Sequence, residues 1–437
     1  MNQNIKILHW KDCGVEIKKK VLSRPSNFNS NDIYVKKVVS KIFNDVKSIG
    51  DEAIRKYTKS FDNVELSSFS ISEKQIFDSE FVLNLKVKKF IEVAKNNILK
   101  FHQRQNVDLM DFEIQSGILC KQIIRPIQSI GLYIPGGVSP LISTALMLAI
   151  PANIAKCKNI IICSPPPISS EILYVSKICG IKKVFQIGGA QAIFAMAFGT
   201  ETIPKVNKIF GPGNIYVTEA KSQVKFLLKD VSIDMLAGPS EILIIADLHA
   251  DPSIIASDLL SQMEHGSYSQ ALLVTPSFSL AKHVILEINS QLKTLLKKDT
   301  ICFSLKHSSI IVTENLLECF EISNLYAPEH LMIQCKNSIK LLDYVINAGS
   351  IFLGKWSAVS CGDYATGTNH VLPTYGSAVF DSGLTIRDFQ KIISVQKLNK
   401  TGLLNISSTV LCLSKLERME AHSNSILKRL CIIQDQD

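Results

Sequence analysis

Residues 183–193 read KVFQIGGAQAI. The β-rich run meets two glycines and resumes with small and apolar residues at helical spacing, the pattern of a strand that turns tightly into a helix. The same pattern surrounds it. SIGLYIPGGVSP (129–140) and KIFGPGN (208–214) are further strands ending in Gly-rich turns, and NIIICS (159–164) and EILIIAD (241–247) are strands. Helical patterns at 171–179, 190–199 and 215–228 lie between them. Further on come a helix at 252–265, a strand near 270–274, a helix near 278–297 and strands at 309–313 and 350–353. This alternation predicts an α/β fold with two α/β units. Upstream, residues 32–104 have helical spacing (Val35, Val38, Val39, Ile42, Val46), with Gly50 as an expected stop. Residues 385–437 are expected to form a helical tail striped by Ile406, Val410, Leu413 and Leu416.

The chain has 437 residues, 46% apolar and 20% charged, enough for two domains and too apolar for general disorder. Its net charge is +9, but only seven of 48 basic residues are Arg and the lysines are scattered. That balance suits an anionic ligand and argues against nucleic acid as a partner. Eleven cysteines without a CxxC, in a chain opening MNQNIKILHWKD with no basic-then-apolar leader, point to a reduced, cytoplasmic protein. Residues 127–155 carry no charge, yet Pro135, Gly136, Gly137, Pro140 and Pro151 interrupt them. A strand, loop and short helix is expected there, and no membrane span.

Three Gly-rich turns at strand ends present backbone N–H groups at helix starts. Any one could be merely a tight turn, but three on one sheet edge favour a ligand crevice. The segment 251–266 is a helix with both ends written in: Asp251 as N-cap, Pro252 at the first position, Gly266 past the end. Gln262 and His265, three apart, would share its last turn. They make a poor metal site without further ligands, for which Asp363 and His370 in GDYATGTNH (362–370) and His422 in the tail are candidates. Glu329-His330 offers an adjacent carboxylate and imidazole suited to acid/base work.

The strings YIPGG (133–137), QIGGAQAI (186–193), KIFGPGN (208–214), DMLAGPSEILIIAD (234–247), DLLSQMEHG (258–266), APEHL (327–331), GDYATGTNHVLPT (362–374) and ERMEAH (417–422) together resemble histidinol dehydrogenase, from about residue 30 to 430. The resemblance implies two incomplete Rossmann-like α/β domains with helical N-terminal and C-terminal extensions. The expected division is an extension at 1–30, a first domain at 31–132 plus 240–384 with most of the zinc and substrate site, a second, NAD-binding domain at 133–239, and a C-terminal helical domain at 385–437. It implies one zinc per subunit on Gln262, His265, Asp363 and His422. Histidinol would bind through Ser240, Gln262, His265, His330, Asp363, Glu417 and His422, with Glu329 and His330 as the acid/base pair and Tyr133, Gln191 and Asn214 on NAD. It also implies two successive oxidations, histidinol to histidinaldehyde to histidine, with two NAD, as the last step of histidine biosynthesis. Finally, it implies a homodimer in which the C-terminal segment reaches the partner's site.

Many members carry acidic residues where this chain has Val359 and Tyr268, which bears on tuning and not on reaction type. Glu417 and His422, five apart, would point about 140° apart on one straight helix, so a shared site requires a break near 418–421. A cysteine-nucleophile enzyme using Cys120 or Cys157, a zinc-and-nucleotide module without turnover, and a zinc hydrolase are the competing readings.

Overall fold

The computed structural model describes residues 5–25, 33–105, 110–136, 140–236 and 238–435. The turn residues Gly137, Val138 and Ser139 lie outside that set. The chain forms two compact units, residues 1–105 with 127–389 and residues 106–126 with 390–437.

The larger unit holds two six-stranded sheets. The first is all parallel, in the order Lys6–His9, Ser309–Val312, Gln270–Thr275, Glu241–Ala246, His330–Gln334, Ser350–Leu353. Its central strands EILIIA and QALLVT are buried at every position, as continuous apolar runs covered on both faces should be. From the Glu241 strand the chain winds outward through Gln270 and Ser309. It then crosses back to His330 and Ser350, so the winding reverses between Glu241 and His330.

The second sheet repeats this winding. Its order is Ser70–Ile71, Lys183–Gln186, Asn159–Ser164, Ser129–Tyr133, Lys208–Phe210, Ser232–Ile233, with only the first strand antiparallel. The reversal falls between Ser129–Tyr133 and Lys208–Phe210. Each sheet is therefore five strands of a doubly wound Rossmann pattern plus one edge strand from the N-terminal region.

The sheets regroup the segments expected from sequence. Lys6–His9, in the expected extension, forms the edge of the first sheet, while Ser129–Tyr133 belongs to the second. The lead-in helix Ile33–Asp62 packs Val35, Val39, Ile42 and Ile54 against Ile193, Phe194 and Ile209 of the second sheet's layer. At Ile49 and Gly50 (φ 47°) the backbone leaves helical geometry, so two helices meet at the expected stop, and Asp51 N–H opens the second by donating to Glu201 Oε2 at 2.8 Å. Within the uncharged stretch 127–155 the described residues hold the strand Ser129–Tyr133 and the helix Ile142–Ile154. Among the described residues no helix is long and apolar enough to cross a membrane.

The smaller unit corrects the expected all-helical tail. Gln390–Leu398 is a nine-residue strand, paired antiparallel along its length with Ile118–Pro126, which pairs in turn with Asp111–Gln115. Helices Lys400–Leu416 and Glu420–Gln434 follow. Arg418 between them is left-handed (φ 58°), and Ser414 Oγ meets Ser423 Oγ at 2.7 Å across the bend. The interruption falls between Glu417 and His422, where sharing one site requires it.

Candidate active site

In the larger unit a cleft of about 200 Å³ opens where the carboxyl ends of the second sheet face the amino ends of the first. Gly211, Pro212, Lys221 and Asp234 line it from the second sheet's side. Ser240, Gln262, His265, Glu329, His330 and Asp363 line it from the other.

Glu329 and His330 stand at the start of the strand His330–Gln334. Ala327, left-handed at φ 50°, ends the preceding helix and turns the chain into them. Both are almost fully buried. One residue of the neighbouring strand holds both side chains: Glu241 N–H donates to Glu329 Oε2 at 2.7 Å, and Glu241 C=O accepts from His330 Nδ1 at 3.0 Å. The carbonyl fixes one proton on Nδ1, so Nε2 is the nitrogen that takes up or gives back the second. That buried Nε2 has no hydrogen-bond partner among the described residues and lies 3.6 Å from Asp363 Oδ1, an ion-pair distance. Burial opposes charge on His330, but Glu329, 3.4 Å from Nδ1, and Asp363 outweigh it and raise the imidazole to about 10. Burial alone would raise Asp363, but His330 first, then His370 and His265, hold it below its ordinary value.

Gln262 lies in the last turn of helix Pro252–Met263, which Asp251 caps through Ser253 N–H at 2.9 Å. The helix stops at Met263, so His265 follows just past its end instead of within the last turn. Gln262 is 1% exposed, and its amide lines the cleft. Asp363 sits in the short helix Val359–Tyr364, where Val359 is packed in the core with Phe352. His370 Nδ1 donates to Asp363 C=O at 2.8 Å, and its Nε2 takes Thr144 Oγ1 at 3.1 Å, tying the loop to the second sheet's layer.

Among the described residues no three His, Cys, Asp or Glu are placed to hold a metal ion. Of the four expected zinc ligands, the cleft gathers three, Gln262, His265 and Asp363. Glu417 and His422 are in the smaller unit, both exposed.

The three Gly-rich turns lie at carboxyl ends of the second sheet. Position 211 requires glycine, because its φ is 121° and a Cβ there would meet Tyr133 O at 2.0 Å. Tyr133 OH accepts from Gly189 N–H at 3.1 Å, at the start of helix Gly189–Phe198. Gln191 Oε1 beside it is buried with no partner among the described residues, as is Ser164 Oγ at the next strand's end. Asn214 is exposed and caps helix Ile215–Leu227 through Tyr216 and Val217 N–H.

Sequence reasoning missed Lys221, Asp234, Glu241 and Arg24. Lys221 forms a buried ion pair with Asp234 and donates to Gly211 C=O at 2.9 Å, while Gly211 N–H donates to Asp234 Oδ2 at 2.7 Å. The pair fixes the FGPGN turn, and a Lys thirteen residues before an Asp carries no spacing signal. The cysteine-nucleophile reading finds no support at Cys157, where burial pushes the thiol up to about 11, opposite to activation.

Two doubly wound sheets enclose the buried carboxylate–imidazole pair. The histidinol dehydrogenase family model matches residues 25–430. The chain is 64% identical over its whole length to a histidinol dehydrogenase of Buchnera aphidicola subsp. Baizongia pistaciae, also matched over its whole length. It is 48% identical to that of Escherichia coli, covering 98% of this chain and 99% of the relative. The crystal structure of histidinol dehydrogenase from Elizabethkingia anophelis superposes with a TM-score of 0.94 at 40% identity, covering 98% of this chain and 99% of that one. The chain belongs to the histidinol dehydrogenase family, oxidoreductases acting on an alcohol.

Proposed function

We propose that this protein is a zinc-containing, NAD-dependent histidinol dehydrogenase that oxidises L-histidinol through L-histidinaldehyde to L-histidine, the last step of histidine biosynthesis, with two NAD per turnover. The observation that carries this reading is the Glu329–His330 pair, held by Glu241 with the His330 Nε2 acceptor beside Asp363.

The donors in the cleft fit a cation. Asp363 is held ionised, and the buried Gln262 amide lines the same wall as His265. Gln262, His265 and Asp363 would hold one zinc per subunit, with His422 as the fourth ligand. Zinc bound there would anchor the imidazole and amine of histidinol and leave oxidation to the nicotinamide. Engaging Asp363 with a cation also removes part of the pull that keeps His330 protonated. The orphaned Gln191 Oε1 and the turn at Tyr133 fit a nucleotide, with Tyr133, Gln191 and Asn214 as the NAD contacts.

His330 Nε2 takes the alcohol proton as hydride leaves the substrate carbon, giving the aldehyde. Glu329 then takes a proton from the water that adds to the aldehyde, His330 returns its proton to the aldehyde oxygen to give the hydrate, and His330, free again, removes a hydroxyl proton as a second hydride departs to the second NAD. Ser240 and Glu417 orient the substrate.

The smaller unit supports a homodimer with shared sites, in which Glu417 and His422 serve the partner. Ile392, Leu413, Leu416 and Ile432 are exposed there, and neither helix buries a large apolar residue, so this surface suits a second copy. The cysteine content keeps the cytoplasm as the expected location.

Adding L-histidinol to protein and NAD should produce two NADH per histidine formed. No reduction with folded, zinc-loaded protein would refute the reading.

A further inference from the structure

Arg24 follows the helix Val15–Leu22 in the N-terminal segment, to which the proposed chemistry gives no role. Its guanidinium grips Glu241 as a fork, Nε to Oε1 at 3.1 Å and Nη2 to Oε2 at 3.0 Å. It also lies 3.8 Å over the ring of the buried Tyr326 and donates to the carbonyls of Tyr326 and Ala327. Tyr375 N–H completes the cage, donating to Glu241 Oε1 at 2.7 Å. Arg24 thus touches both strands' entrances: Glu241, which opens one strand, and the Tyr326–Ala327 turn, which delivers Glu329 and His330 to the other.

We propose that Arg24 and Glu241 are positioning residues for the Glu329–His330 pair: the fork fixes Glu241, and the backbone N–H and C=O of Glu241 fix the carboxylate and the imidazole. The inference rests on that pair being the acid/base machinery.

The geometry requires an intermediary of this kind. In the parallel register His330 faces Ile242, so Glu241 lies one place before the ladder begins. Its peptide groups on that side are free for side chains, and they bind Glu329 and His330. This first residue of the strand carries a buried carboxylate facing a second carboxylate, Glu329, and burial, with that neighbour, raises it above its ordinary value. Arg24 opposes the shift and holds the side chain in one rotamer through a planar, two-point contact that a lysine could not make.

The test uses the full-length enzyme loaded with zinc, with histidinol and NAD, and reports kcat per folded subunit. Arg24→Gln and Glu241→Gln should each lower kcat about 10- to 100-fold while leaving the KM for histidinol within about threefold, because neither side chain touches substrate and a small misplacement of the base is costly. Arg24→Lys should recover part of the loss. The double variant should be no more than about threefold worse than the poorer single, since both act through one link. Native kcat per folded subunit in Arg24→Gln, or losses that multiply in the double variant, would overturn the inference. Should Arg24→Gln fail to fold, Glu241→Gln, which keeps an amide for Tyr375 N–H, decides alone: native kcat refutes the proposal. His330→Gln measured alongside separates the failures, because full activity there would refute the acid/base assignment itself.

Discussion

Glu241 and His330, on adjacent parallel strands and one place out of register, share a hydrogen bond that leaves the imidazole a single nitrogen for chemistry. A carbonyl accepting from Nδ1 selects the tautomer, and the ring then presents Nε2. Glu329 is held by the N–H of the same residue, so the carboxylate and the imidazole are fixed relative to each other.

That shared anchor leaves their tasks separable. Glu329→Gln keeps the acceptor for Glu241 N–H but loses the base. It should slow oxidation of added histidinaldehyde by tenfold or more beyond its effect on the alcohol step, read by single-turnover NADH formation from each substrate. Equal losses on both steps would end this division of labour.

Metal content gives a second check. Each subunit should bind about one zinc, and His265→Asn, Asp363→Asn and His422→Asn should lose metal and activity while keeping native circular dichroism, since the donors come from separate segments. Full zinc occupancy in these variants would remove the proposed coordination sphere.

The crossed dimer makes an arithmetic prediction. His330→Gln and His422→Asn, each inactive, are unfolded and refolded together in equal amounts. Half the dimers are mixed, and each mixed dimer has one site with both defects and one with neither, so roughly a quarter of native activity should return. Recovery no greater than that of the separate variants would place both residues of a site on one chain.

Stability should carry a pH signature from His102, fully buried on helix Leu85–Gln103. Its Nδ1 faces Gln105 Oε1 at 2.8 Å and its Nε2 faces Asn369 Nδ2 at 3.2 Å, a pattern that needs the neutral ring. Burial lowers its pKa from 6.5, so below that value the unfolded chain binds more protons than the folded one. Its contribution is complete above pH 6.5 and is lost as pH falls through the lowered value. Replacing His102 with Gln should flatten the fall in Tm between pH 7 and 5, and an unchanged slope would assign the acid loss elsewhere.

Much of this was legible in the sequence because it was local. Asp251-Pro252 opened the helix as written, the KVFQIGG, KIFGPG and EILIIAD runs became strands, and the GDY loop joined the cleft. The strand Gln390–Leu398 was not legible. Its residues are mostly exposed, so KIISVQKL lacks the alternation that burial on one face imposes. Lys6–His9 escaped for a related reason, being a four-residue edge strand. The Arg24–Glu241 fork spans 217 residues, and no spacing rule reaches that far.

The edge strand Lys6–His9 has a consequence for synthesis. Its ladder partner, Ser309–Val312, is synthesised about 300 residues after it. At roughly 5–20 residues per second this strand waits on the order of 15–60 s before its sheet can close. The second sheet, whose strands are all complete by Ile233, can assemble in that interval. The nascent chain should therefore complete its second sheet first and the strand entrances that carry Glu329 and His330 late, with Lys6–His9 open to other strand edges meanwhile.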